Sequence, residues 1–156
     1  MGGALEETRA PRIGVSDGLR AIQAGEEALF AGWEAAGRPY PWTAAQFLSG
    51  PAARVLAWEE DGVARAFAVV QVIEGEAYLL NFMVDPAFRR RGLGAKVLQK
   101  VMIDARDHGA RRLVLDVDAA NGPALSLYTK AGFQTLERRR GAYPRGEDAL
   151  VMKKEL

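Results

Sequence analysis

Three observations predict an α/β (α+β) fold with a mixed central sheet and a βαβ crossover in its middle. Apolar residues alternate between tight turns over residues 54–84. A four-residue apolar repeat then runs from Leu93 to Ala105, and Leu113-x-Leu115-x-Val117 restores the strand period directly after it. A strand, a helix and a second strand in that order form a right-handed crossover that sets the two strands parallel.

Each element follows from local chemistry. Ser16-Asp17-Gly18 ends a short strand and caps a helix over residues 19–33, with Leu19, Ile22, Leu29 and Phe30 as its apolar members. Gly37-Arg38-Pro39-Tyr40-Pro41-Trp42 breaks that helix. Thr43 then caps a short second helix through Phe47 and Leu48, closed by Ser49-Gly50-Pro51. Residues 54–59 and 63–73 read as strands joined at Asp61-Gly62, and Glu74-Gly75 turns the chain into a third strand over 76–84. Leu93, Val97, Val101 and Ala105 mark one face of a helix over 92–108, with Lys96, Gln99, Lys100 and Asp104 on the other and Gly109 as its stop. Pro123 suits the first turn of a helix that runs to Ala131 and ends at Gly132. Residues 133–139 and 149–153 supply two last strands, completing the order βααβββ–α–β–α–ββ.

The length of 156 residues predicts one domain, 13–156, behind a frayed segment over 1–12. The absence of cysteine excludes disulfides, thiolate zinc sites and a cysteine-bound acyl intermediate. A single histidine, His108, leaves no imidazole-rich metal site, and no metal is expected. A net charge of +1 argues against a broad electrostatic clamp on nucleic acid. The longest apolar run, residues 66–70, is too short to span a bilayer, and the N-terminus has no apolar signal region. A cytoplasmic protein without membrane or direct nucleic-acid contacts is the expectation.

The richest stretch is Val84-Asp85-Pro86-Ala87-Phe88-Arg89-Arg90-Arg91-Gly92-Leu93-Gly94-Ala95-Lys96. A strand ends at Val84, Pro86 forbids its continuation, and two glycines open the long helix. A helix N-terminus leaves its first N–H groups unpaired and carries about half a positive charge, so it can receive a phosphate. The stretch is no Walker loop, and its third dinucleotide-fingerprint position holds Val97 rather than glycine. The same residues also suit a flexible helix start beside a solvated arginine run.

Arg89-x-x-Gly92-x-Gly94 after a strand ending Val-x-Pro resembles motif A of the GNAT superfamily of acyl-CoA N-acyltransferases, and Asn121-x-x-Ala124-x-x-Leu127-Tyr128-x-x-x-Gly132-Phe133 resembles its motif B. Tyr40-Pro41-Trp42-Thr43, Asn81-Phe82-Met83-Val84-Asp85-Pro86, Leu115-Asp116-Val117 and Tyr143-Pro144 with Glu147-Asp148-Ala149 are similar to the RimI-type ribosomal-protein-alanine N-acetyltransferase branch. The resemblance runs from about Ile13 to the C-terminus. It implies a GNAT fold with about six to seven strands, splayed central parallel strands and helices on both faces.

The resemblance also implies acetyl-CoA as cosubstrate and a protein N-terminus, that of an alanine-starting ribosomal protein, as acceptor. It implies backbone contacts from Phe82, Met83 and Val84 to the pantetheine and acetyl group, one free N–H serving as oxyanion donor. Arg90, Arg91, Gly92, Leu93, Gly94 and Ala95 would cradle the pyrophosphate, and Asn121 would bind the cofactor arm. Tyr128 would be the acid that protonates the departing thiolate, a role its ordinary pKa of about 10 allows; a core tyrosine has the same sequence signature. Asp116, twelve positions before Tyr128, would be the base where the family normally has glutamate. Its shorter side chain calls for an intervening water, and a solvated or capping carboxylate is the other reading. Trp42 and Tyr143 would line the acceptor mouth, with Glu147 and Asp148 drawing in a basic tail; Trp42 serves equally as a core aromatic. The family's second tyrosine before Tyr143 is replaced by Gly141-Ala142.

Two rival functions share these motifs: acetylation of a small amine or antibiotic, and a non-catalytic acyl-CoA-binding partner module. The first differs only in the acceptor groove, and the second needs neither Asp116 nor Tyr128.

Overall fold

The computed structural model describes residues 17–48 and 53–156. One seven-stranded sheet runs in the order β1-β2-β3-β4-β5-β7-β6. Its strands are β1 (Gly18–Ala21), β2 (Ala53–Glu60), β3 (Val63–Ile73), β4 (Glu76–Val84), β5 (Arg112–Asp118), β6 (Gln134–Arg139) and β7 (Ala149–Glu155). The helices are α1 (Glu26–Gly37), α2 (Ala44–Leu48), α3 (Leu93–Asp107) and α4 (Gly122–Lys130). From α1 onward the order of elements is the one the sequence predicts, and β4 and β5, joined through α3, are parallel.

The first helix begins later than its sequence pattern implies. Leu19 belongs to β1, which pairs antiparallel with β2 from Gly18↔Glu59 to Ala21↔Leu56. Arg20 anchors that edge, donating through Nε to Glu59 at 2.6 Å and through Nη2 to Glu26 at 2.7 Å. Gly25, at φ +91°, then lets the chain turn into α1, with Glu26 and Glu27 in its first turn. Leu19 and Ile22 therefore mark a strand and its exit rather than a helix face. The strand expected before Ser16, the closing Ser49-Gly50-Pro51 and the frayed segment over 1–12 lie outside the described residues.

Both faces of the sheet are covered. Against one, α3 packs Leu93, Val97, Leu98, Val101 and Ala105 over β3 and β5, where Ala66 and Ala68 let the helix approach closely. Against the other, Phe30 and Trp33 of α1 and Phe47 of α2 surround Phe67 of β3, with ring centroids 4.9 Å apart for Phe30–Phe67 and 5.0 Å for Phe47–Phe67. Each such buried side chain contributes about 1.5–3 kcal/mol relative to exposure. Coverage on both sides explains why Ala66–Val70 is uniformly apolar instead of alternating.

A one-residue irregularity in β4 shapes everything that follows. Val70 pairs with Leu79 but Val69 pairs with Asn81, so Leu80 is an extra residue on β4. Ala77 and Leu79 face α3 before it; Phe82 does so after it, while Met83 joins the α1 layer. Parallel pairing of β4 with β5 covers four residue pairs and stops at Leu79↔Leu115, beside the bulge. Beyond that point β5 continues to Asp118 against β7 and β4 continues to Val84 against β3, so the two strands part and leave a gap through the sheet.

Candidate active site

The mouth of α3 opens at one end of this gap. Asp85 accepts the Ala87 N–H at 2.9 Å, and Pro86–Phe88 form a single 3-10 turn. Arg65 lies over the Phe88 ring at 3.8 Å, and Arg91 lies 4.8 Å from the same ring. Arg90 and Gly92 both adopt left-handed backbone, at φ +64° and +73°. For Arg90 that conformation is unfavourable by about 1–2 kcal/mol. Gly92 caps α3 without a side-chain hydrogen bond, and the first helical turn holds no acid. Lys96 donates back to the Gly92 carbonyl at 3.3 Å, so the Leu93, Gly94 and Ala95 N–H groups lie ahead of the first intrahelical bond. Gly94 is wedged between strand and helix: a β-carbon there would stand 3.7 Å from both Val84 Cγ2 and Leu127 Cδ2. Three free donors, flanking guanidinium groups and no competing acid fit a nucleotide diphosphate.

The edge of β4 forms one wall of the gap. Asp85 N–H donates to the Arg65 carbonyl at 2.7 Å, so alternation gives Asn81, Met83 and Asp85 their backbone bonds to β3 and turns those of Phe82 and Val84 toward the gap. Three of these four groups are taken. The Phe82 N–H donates to Asn81 Oδ1 at 2.8 Å, and its carbonyl accepts from Arg38 Nη2 at 2.7 Å. The Val84 carbonyl accepts from Arg89 Nε at 3.4 Å. Only the Val84 N–H faces the gap with no strand to supply an acceptor. The expected trio of backbone contacts thus reduces to one free donor, because Met83 spends its groups on β3 and Phe82 is held by side chains.

Tyr128 reaches the gap from the α3 side. Its ring is 8% exposed and packs 5.5 Å from Phe133. Its hydroxyl makes no hydrogen bond among the described residues. Burial pushes its pKa up to about 12, against the opposing charge of Arg38. Asp116 stands on the opposite face of β5, since Leu115 and Val117 beside it pack in the core that holds Tyr128. It is half exposed, and its nearest cation is Arg139 at 3.9 Å. The structure does not bring Asp116 and Tyr128 into contact; they flank the gap from its two sides.

Tyr143 and Glu147, two of the residues expected at the acceptor mouth, are joined by Tyr40, which had no expected role. Tyr40 stacks on Tyr143 with centroids 6.0 Å apart and rings within 8° of parallel. The Tyr40 hydroxyl donates to Glu147 at 3.0 Å and accepts the Arg145 N–H at 2.9 Å, tying the loop after α1 to the loop before β7. Burial, with Asp116, Asp118 and Glu147 nearby, raises the Tyr143 pKa. Trp42 is set apart from this pair: its ring packs 5.3 Å from Phe47 and its backbone N–H donates to Glu34 at 3.0 Å. Asp148 is also occupied elsewhere, accepting from Arg138 at 2.8 Å and from the Gly141 N–H at 2.9 Å, which holds its carboxyl below the usual range. Asn121 Oδ1 accepts the Ala124 N–H at 3.2 Å as cap of α4. Glu34, Arg38 and Tyr40 carried two faint signals: a carboxylate on an apolar helix face, and polar residues packed into a helix break.

Comparison with known proteins agrees with this geometry. The model of the acetyltransferase (GNAT) family matches residues 20–133. The chain is 37% identical over 131 residues to the ribosomal protein bS18-alanine N-acetyltransferase of Salmonella typhimurium (strain LT2), a match covering 80% of this chain and 88% of that one. The crystal structure of the ribosomal-protein-S18-alanine N-acetyltransferase from Escherichia coli superposes with a TM-score of 0.80 at 30% identity, over 89% of this chain and 93% of that one. The yncA protein of Salmonella typhimurium, solved with its cofactor acetyl-CoA, shares the fold at 19% identity and a TM-score of 0.72, over 91% of this chain and 95% of that one. On the family match and this kinship the chain is an N-acetyltransferase: it belongs to the GNAT family.

Proposed function

We propose that this enzyme transfers the acetyl group of acetyl-CoA to the α-amino group of a protein N-terminus in the cytoplasm, the acceptor being a ribosomal protein that begins with alanine. The observation that carries the reading is the single free donor, Val84 N–H, set between an anion-receiving helix mouth and a buried, unpartnered tyrosine hydroxyl. Kinship to enzymes named for ribosomal protein bS18 supports the choice of acceptor.

Acetyl-CoA supplies an activated thioester. The Leu93, Gly94 and Ala95 N–H groups hold its diphosphate with Arg90 and Arg91, and Val84 N–H polarises the acetyl carbonyl. The amine nitrogen forms its bond to the carbonyl carbon as the carbon–sulfur bond breaks; the thiolate takes a proton from Tyr128, and Asp116, through a water, receives the proton leaving the amine. An α-amine with a pKa of about 7.7–8 is already partly neutral at cytoplasmic pH, so a half-exposed carboxylate suffices as base. Asp116, Asp118 and Glu147 favour approach of a cationic N-terminus.

Incubation with acetyl-CoA and a panel of peptides differing in their first residue, followed by mass spectrometry, tests this. Acetyl on the α-amine of alanine-starting peptides is expected. Transfer only to lysine side chains or to small amines would refute the acceptor assignment.

A further inference from the structure

Arg38 follows α1 directly, and its guanidinium lies against β4. Nη1 donates to Asn81 Oδ1 at 2.9 Å and stands 3.1 Å from Glu34 Oε2; Nη2 donates to the Phe82 carbonyl at 2.7 Å. Glu34 is fully buried, and its other oxygen accepts the Trp42 backbone N–H at 3.0 Å. Asn81, 7% exposed, also accepts the Phe82 N–H at 2.8 Å. Both backbone groups that Phe82 turns toward the gap are therefore held by side chains that Arg38 joins. They belong to the two peptide planes immediately before the one that carries Val84 N–H.

This network is poorly suited to stability alone. It buries a carboxylate and an amide, and among the described residues it leaves Asn81 Nδ2 and Glu34 Oε2 without a hydrogen bond. An apolar residue at position 81 would pack into the α1 layer at lower cost. What the network supplies is direction: beyond the bulge β4 has lost β5, and only β3 and this fork orient its peptide planes.

We propose that Arg38 is a positioning residue, whose guanidinium fork fixes Phe82 and thereby aims the Val84 N–H into the gap. The proposal rests on the reading that the acetyl thioester lies along β4. A lysine keeps the charge opposite Glu34 but cannot satisfy Asn81 and Phe82 at fixed angles. The Arg38 charge also opposes the effect of burial on the Tyr128 hydroxyl, a second reason for a cation here.

The test compares the wild type with Arg38→Lys and with the double variant Glu34→Gln/Arg38→Met, which removes the fork without stranding a buried carboxylate. Coenzyme A affinity is measured by calorimetry, folding by thermal melting, and kcat and both KM values with acetyl-CoA and an alanine-starting peptide. Both variants should fold and bind coenzyme A within about threefold of wild type, because the diphosphate contacts lie on α3. Their kcat should fall on the order of 10- to 100-fold with little change in either KM. Unchanged kcat, a loss confined to KM or to coenzyme A affinity, or failure of both variants to fold would overturn the proposal. A wild type that binds coenzyme A but acetylates no peptide would instead refute the underlying reading, and the proposal with it.

Discussion

Tyr128→Phe isolates one atom. The ring, 8% exposed and 5.5 Å from Phe133, keeps its packing. The hydroxyl has no protein partner among the described residues, so its removal orphans nothing, and the melting temperature should hold within about 2 °C. Coenzyme A affinity should also hold, since α3 rather than α4 supplies the diphosphate donors. The rate should not. Burial keeps the hydroxyl protonated up to about pH 12, so it is available as a proton donor throughout the working range. A positioned acid contributes about 10²- to 10⁴-fold. At about 1.36 kcal/mol per decade, that is about 2.7–5.4 kcal/mol of barrier. The assay is thiol release at saturating acetyl-CoA and peptide, with calorimetry and melting on the same preparation. A variant whose kcat stays within about threefold of wild type would remove Tyr128 from the chemistry and leave it a core aromatic.

The helix mouth and the Tyr128 hydroxyl set three further outcomes. At Gly94 a β-carbon would meet Val84 and Leu127 at 3.7 Å, an ordinary contact, so Gly94→Ala should fold and bind coenzyme A, whereas the branches of Gly94→Val should collide there. Gly92→Val forces a β-branched residue to φ +73° and should likewise cost at least about tenfold in coenzyme A affinity by calorimetry; normal binding by both valine variants would refute the diphosphate site. The rate on an alanine peptide should rise as the amine deprotonates near about pH 8 and stay level to about pH 10, because Tyr128 ionises only near pH 12; a fall across that plateau would assign the acid to another group. The sign for stability runs the same way. A hydroxyl whose pKa is raised from 10.0 to about 12 stabilises the fold fully below pH 10, and that contribution is lost as pH climbs toward 12, which urea midpoints at successive pH values would register.

Among the described residues, the order of the elements from the first helix onward was legible because each carries a local signal: alternation, a four-residue repeat, or a Gly or Pro stop. The start of α1 was not. Leu19, Ile22, Leu29 and Phe30 fit a helical stripe, and only pairing with β2, a contact 35 or more residues away in sequence at every position, makes residues 18–21 a strand. The helix mouth could be read for the same reason as the helices, since its glycines and arginines are contiguous. Tyr143 and Glu147 stood out by motif, but Tyr40 was assigned no role beside them, because the three meet only after folding. Asp148 and Trp42 looked functional by residue type, yet the Asp148 carboxylate is committed to Arg138 and Gly141, and the Trp42 ring packs on Phe47 while its backbone N–H is held by Glu34. Met83 misled because adjacency along a strand hides which edge a backbone group faces.

Leu80 itself is 46% exposed. What it contributes is a count rather than a chemical group: one surplus unit of chain that prevents two neighbours from zipping together. Exchange of its side chain should therefore be silent. Its deletion would let β4 realign, mend the tear in the sheet, and give a sturdier molecule with nowhere for chemistry to happen.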